Sequence, residues 1–113
     1  MEITLANENG NEGKVYKKGK ATMFDAMLGM EFNIRQVERF VGKEAHELTH
    51  TREGLEVQIE GMKDAAEFVA QVFNNEFSAN DLLKGIPQSE FDGVVSKVLL
   101  EVTGGEVDEE KKD

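Results

Sequence analysis

The residues best suited to chemistry are His46, Glu47 and His50, in the run His46-Glu47-Leu48-Thr49-His50. On a helix the two imidazoles would lie one turn apart on the same face. They could then share a zinc ion, with Glu47 as general base toward a metal-bound water. These are the only two histidines in the chain and there is no cysteine, so a third protein ligand would have to be a carboxylate. Glu67, in Ala65-Ala66-Glu67-Phe68-Val69, is the best candidate.

The surroundings of Glu67 resemble the second-ligand helix of thermolysin-like proteases, and a minimal zinc metallopeptidase is therefore one reading of the chain. The context of the motif departs from that family. Gly42, Lys43 and Glu44 precede it where a buried apolar run would be expected, and Glu67 follows His50 early. Residues 22–41 read as helix where the family has a strand edge. A five-residue pattern with three fixed positions is weak by itself. The simpler reading, an exposed polar turn in which two histidines sit four apart, is preferred, with no metal and no catalytic residue assigned. No Ser-His-Asp context, glycine-rich phosphate loop or calcium loop is present. Asp64 with Glu67, and Glu90 with Asp92, read as solvated helix faces.

The elements that would position such residues are mostly helical. Phe91, Val94, Val95, Val98, Leu99 and Val102 keep one apolar face through three turns. Pro87 bars entry to that helix from upstream, Ser89 with Asp92 reads as its cap, and Gly104-Gly105 ends it. Met62, Ala65, Ala66, Val69, Val72 and Phe73 form the apolar face of the preceding long helix, with Phe68 at its border and Asn74-Asn75 as its break. Ser78 and Asp81 open a short helix that Gly85 closes. Thr22 and Asp25 open another, carrying Met23, Phe24, Met27, Leu28 and Phe32. Ile34, Val37, Phe40 and Val41 either continue it or follow a kink near Asn33. Residues 42–54 could be helix or loop. Residues 1–20 read as a flexible or extended arm, with a short extended segment around Val15 and Tyr16. The expected fold is a small, open, mostly α bundle of about four to five helices in a single domain over residues 1–105. Residues 106–113, with five acids against two lysines, are expected to be a disordered tail.

Composition narrows the function. A net charge of −10 argues against nucleic-acid binding, because neutralising phosphates takes a basic surface. Lys14, Lys17, Lys18 and Lys20 form the one basic cluster and read as a solvated arm. No apolar run reaches the roughly 18 residues that span a bilayer, and no secretory signal is visible, so a cytoplasmic protein without a membrane contact is expected. The row Met23, Met27 and Met30 suits core or interface packing better than a cofactor site, and no cofactor is expected.

Residues 68–102 carry a longer signal. A helix ends at Phe73 and Asn74, Asn75 and Phe77 follow, and Ser78 opens a short helix ending in Leu83-Lys84-Gly85. A last apolar-faced helix contains Phe91. This order and spacing resembles the phage tail assembly chaperones of long-tailed phages and prophages of Gram-positive bacteria. The lysine-containing segment before Thr22 and the run Met23–Phe32 fit that family's N-terminal part more loosely.

The resemblance implies a non-enzymatic protein of the host bacterial cytoplasm. Such chaperones hold the tape measure protein, a very long and largely helical chain, and keep it soluble until the major tail protein polymerises around it. They are often also made in a longer form by a −1 ribosomal frameshift, and a homo-oligomer is a further expected partner. Glu110-Lys111-Lys112 permits GAA-AAA-AAG, which contains a slippery heptamer. For a client or a second copy, the candidate contacts are Met23, Phe24, Met27 and Met30, joined by Phe32 and Phe40. A generic acidic helical adaptor is the third reading.

Overall fold

The computed structural model describes residues 1–6 and 13–104. The chain opens with an antiparallel pair, β1 (Glu2–Leu5) and β2 (Lys14–Lys17), in which Ile3 faces Tyr16 and Thr4 faces Val15. Five helices follow: α1 (Met23–Phe40), α2 (Ala45–His50), α3 (Arg52–Val72), α4 (Ala79–Gly85) and α5 (Gln88–Val102). The mostly α expectation holds, and the extended segment expected around Val15 and Tyr16 is β2, whose pairing with β1 the sequence left unread. Side chains alternate across a strand, so Ile3 and Leu5 turn into the core while Glu2 and Thr4 stay out. The amide of Ala6 bonds the carbonyl of Gly85 at 2.9 Å, fastening β1 to the end of α4. Tyr16 meets Phe77 edge-on at 4.8 Å. The expected acidic tail lies outside the described residues.

Helix starts follow local chemistry. Thr22 and Asp25 form a reciprocal capping box on α1, and Ser78 and Asp81 form one on α4. Asp25 also binds Lys18 at 3.0 Å, with both side chains largely buried, so one carboxylate ties the end of the hairpin to the start of α1. Burial opposes its charge, but the Thr22 amide and Lys18 outweigh that and hold its carboxyl below the usual range. For α5 the cap expected at Ser89 is not used. The helix begins at Gln88 behind Pro87, which has no N–H to satisfy, and Ser89 sits inside the first turn.

The long helix α3 is the hub. Its second half is buried on more than one side, through Ala65, Ala66, Phe68, Val69, Ala70 and Val72, and leaves Lys63, Glu67 and Gln71 to solvent. Phe68 is 1% exposed rather than at a border, because its ring stacks on Phe32 of α1 at 4.8 Å and 2°. Met62, expected inside, is 46% exposed. The chain reverses after α3 through Asn74 and Asn75, both near φ +60°, a left-handed conformation that asparagine tolerates better than most residues. α1 runs unbroken through Asn33, so no kink divides it. Residues 42–54 resolve into a turn with Gly42 at φ +76°, then α2, then the first turn of α3. At Gly54 the backbones of α2 and α3 come so close that a Cβ would collide with the Glu47 carbonyl oxygen.

A second clamp joins α1 to α3. Arg35 donates twice to Asp64, at 2.8 and 2.9 Å, and Arg39 reaches the same carboxylate at 3.1 Å. Burial again opposes the charge on Asp64, and the two guanidinium groups overcome it, so its carboxyl titrates below the ordinary 3.8.

Two predictions follow from these contacts. Phe32→Ala removes a buried, stacked ring and should lower unfolding free energy by about 3–5 kcal/mol. Met27→Gln and Met30→Gln should shift it by no more than ~0.5 kcal/mol, all three read by urea denaturation. Asp64→Asn should cost about 1–2 kcal/mol at neutral pH, a modest figure because Arg35 is partly in solvent. A lowered folded pKa stabilises the fold above the unfolded carboxylate value and ceases to do so as pH falls through the folded one. Wild-type stability should therefore drop more steeply than that of Asp64→Asn below about pH 4, and parallel curves would remove Asp64 from that role.

Candidate functional site

Helix α1 carries apolar residues on two opposite sides. Its inner side holds Gly29 and Phe32, packed toward α5 and α3. Its outer side holds Met23, Met27, Met30, Ile34, Val37 and Val41 in steps of four, three, four, three and four. That is the spacing of a coiled-coil seam, which keeps a straight apolar stripe along a helix. Each of the six is between 49% and 75% exposed. Phe24, 65% exposed, lies on one flank of the row at its N-terminal end.

The structure thus gathers Met23, Phe24, Met27 and Met30 on one open face and separates them from Phe32 and Phe40. Phe32 is 3% exposed in the core. Phe40 is half-buried, its ring lying where a Cβ on Gly61 would come within 3.1 Å. Ile34, Val37 and Val41 complete the row; the sequence marks them as a continuing apolar pattern but not as candidate contacts. The signal was there, since their positions continue the same three-and-four rhythm.

On the other side of α1, helix α5 leans away from α1 and α3 and leaves an open groove of about 860 Å³. Its apolar lining includes Phe32, Phe40, Met62, Phe91, Val95 and Leu99, with Gln36 and Gln58 among its polar residues. This accounts for the exposure of Met62 and for the half-buried state of Phe91 and Val95.

Acidic residues flank the outer row on α1 itself, and others lie further round on α3. Glu31 and Glu38 of α1 are exposed, and so are Glu53, Glu56 and Glu60 of α3. The last three line a shallow depression beside Arg39 and Val57. Arg35 and Arg39 are already engaged by Asp64. Arg52 pairs with Glu56 at 3.2 Å in an open, solvated contact.

The histidine motif lies on α2, at the far end of the bundle from the hairpin junction with α4. His46 and His50 stack at 4.4 Å, exposed, as helical spacing requires. Nδ1 of His50 lies 2.7 Å from the Thr49 hydroxyl. The side-chain amide of Gln58 donates to the Leu48 carbonyl at 2.8 Å and pins α2 to the start of α3. Glu67 cannot serve as third ligand from this arrangement. It lies thirteen residues beyond Gly54, where α2 meets α3, or about 20 Å along the helix axis. Among the described residues no group of three His, Cys, Asp or Glu side chains is placed to hold a metal. Nor is any helix among them long and apolar enough to cross a membrane.

Comparison with known proteins adds one finding. No curated protein and no solved structure matches the chain. A family described as "Phage tail chaperone protein" matches residues 1–113, which includes the stretch 68–102 that carries the resemblance and the N-terminal half where it was looser. Because that match runs over its whole length, the chain belongs to the phage tail chaperones.

Proposed function

We propose that this tail chaperone binds the tape measure protein and keeps it soluble in the host cytoplasm until the major tail protein assembles around it. The observation that supports this reading is the outer row of α1. A domain that has already buried Phe32, Phe68, Phe73 and Leu82 has no structural need for six large apolar residues on an outside face. Contiguous exposed apolar surface marks an interaction site, and methionine suits one that must accept varied sequence because its side chain adapts to what it meets. A long helical client offers many apolar stripes of the same pitch, and helix-on-helix contact would cover both surfaces. The net charge of −10 keeps the loaded complex repelling its neighbours. The role requires no reaction and no cofactor. Met23, Phe24, Met27 and Met30 are the contacts proposed for the client, with Ile34, Val37 and Val41 extending them.

Co-expression tests this. The tape measure protein of the same phage should be soluble with the wild type and should be recovered with it on affinity capture. The double change Met27→Glu and Met30→Glu should leave the helical circular dichroism and unfolding midpoint near wild type. It should also send the client to the insoluble fraction, with binding weakened at least about tenfold. A folded double variant that still solubilises the client fully would remove the row from this role. Failure of the wild type to retain any long helical tail protein would favour the generic acidic adaptor.

A further inference from the structure

We infer that the outer face of α1 selects an amphipathic helix of one charge polarity, apolar along one stripe and carrying Lys or Arg on a single flank. The inference rests on the reading of that face as the client surface and adds the chemistry of what it accepts.

The two flanks of the row differ. At 100° per residue, Glu31 and Glu38 project roughly 70° to one side of the stripe. Arg35 lies further round on that side, where it meets Asp64, so the next surface is α3. There Glu53, Glu56 and Glu60 lie exposed beside Arg39, further from the row than Glu31 and Glu38. Of the cations on that side, Arg35 and Arg39 are held by Asp64 and Arg52 by Glu56, while Lys63 lies exposed on α3 near Glu56 and Glu60 and offsets part of their charge. The opposite flank carries Ala26 and Asn33, followed by the groove, whose far wall on α5 holds one carboxylate, Asp92. A helix lying on the row therefore meets Glu31 and Glu38 along one edge of α1 and Ala26 and Asn33 along the other.

A second copy of the chain does not fit this arrangement. Its own row is bordered by the same carboxylates, and its Arg35 and Arg39 are turned to Asp64. Each copy also carries a net charge of −10. Like charges brought together at a contact oppose it, whereas opposite charges speed encounter and fix orientation. The complementary occupant is a basic-flanked helix.

Synthetic helical peptides with one shared apolar stripe test this directly. One set carries lysine on the left flank, one on the right, one carries glutamate and one is neutral. Binding to the full chain is read by fluorescence anisotropy at about 50 mM and about 500 mM salt. One of the two lysine peptides should bind about tenfold tighter than the glutamate peptide at low salt, and the margin should shrink at high salt. Glu31→Lys with Glu38→Lys should abolish the preference while retaining affinity for the neutral peptide, and Met27→Glu should weaken all four. Equal binding of all peptides by the wild type would overturn the charge inference while leaving the row as a client surface. So would a dimer seen by sedimentation that Met27→Glu dissolves, because the row would then belong to a second copy. Binding of none of the peptides overturns the inference too, and the co-expression result then decides separately whether the tape measure reading also falls.

Discussion

The rotation of α1 about its own axis is what the rest of the molecule depends on, and the parallel stack of Phe32 on Phe68 sets it. A helix with two apolar sides could bury either one. Phe32 is the bulkiest residue on the inner side, and only that side has Gly29, whose missing side chain lets Val102 and Leu99 of α5 approach. The Arg35 and Arg39 clamp on Asp64 then fixes the same rotation electrostatically, because both guanidinium groups lie on the flank facing α3. Buried stacking and a largely desolvated carboxylate agree on one orientation, and the methionine row is displayed as a consequence.

That display comes at a risk. Contiguous apolar surface invites aggregation, and the chain limits it in two ways. The row is a single stripe on a rigid helix rather than a sheet edge, so it offers no unpaired backbone to a neighbour. It is also bordered by carboxylates within a chain of net charge −10, which disfavours contact with copies of itself. Stability is drawn from elsewhere, from the second half of α3 and the aromatic cluster of Phe73, Phe77 and Tyr16. Residues on the outer face are thereby free to be chosen for binding rather than for folding.

Much of the helical frame was legible in the sequence because it is written in local chemistry. Thr22 with Asp25, Ser78 with Asp81, Asn74-Asn75 and Gly85 each act over a few residues, and each marks a boundary close to where the structure has one. Ser89 misled because proline and serine both signal a start, and proline prevailed. The hairpin was hidden for a different reason. Ile3 and Leu5 alternate with Glu2 and Thr4, but four residues are a short pattern, and Leu5 is covered by Gly85, some eighty residues away. The candidate site divided in the same way. Met23, Met27 and Met30 stood out by composition, whereas the separation of Phe32 from them is a matter of which side of α1 faces Phe68, and that is decided by tertiary packing.

On the proposed reading, the form of the surface also bears on release. A holding protein has to surrender its client when the tail tube polymerises. A deep pocket would resist that, because full burial of one large side chain is worth about 1.5–3 kcal/mol and several together bind tightly. The row on α1 is convex, and its residues are already partly covered by their own helix, at 49% to 75% exposure. Each contact therefore gains only part of that value, and ordering the side chains subtracts from it. Affinity would come from repetition along a long client rather than from any one site, since neighbouring bound copies need not touch to share the load. The carboxylates of Glu31 and Glu38 add a contribution that acts at longer range and weakens with salt, favouring fast encounter over slow dissociation. Many weak, charge-guided contacts of this kind can be displaced one at a time by an advancing polymer, which a single tight contact would not permit.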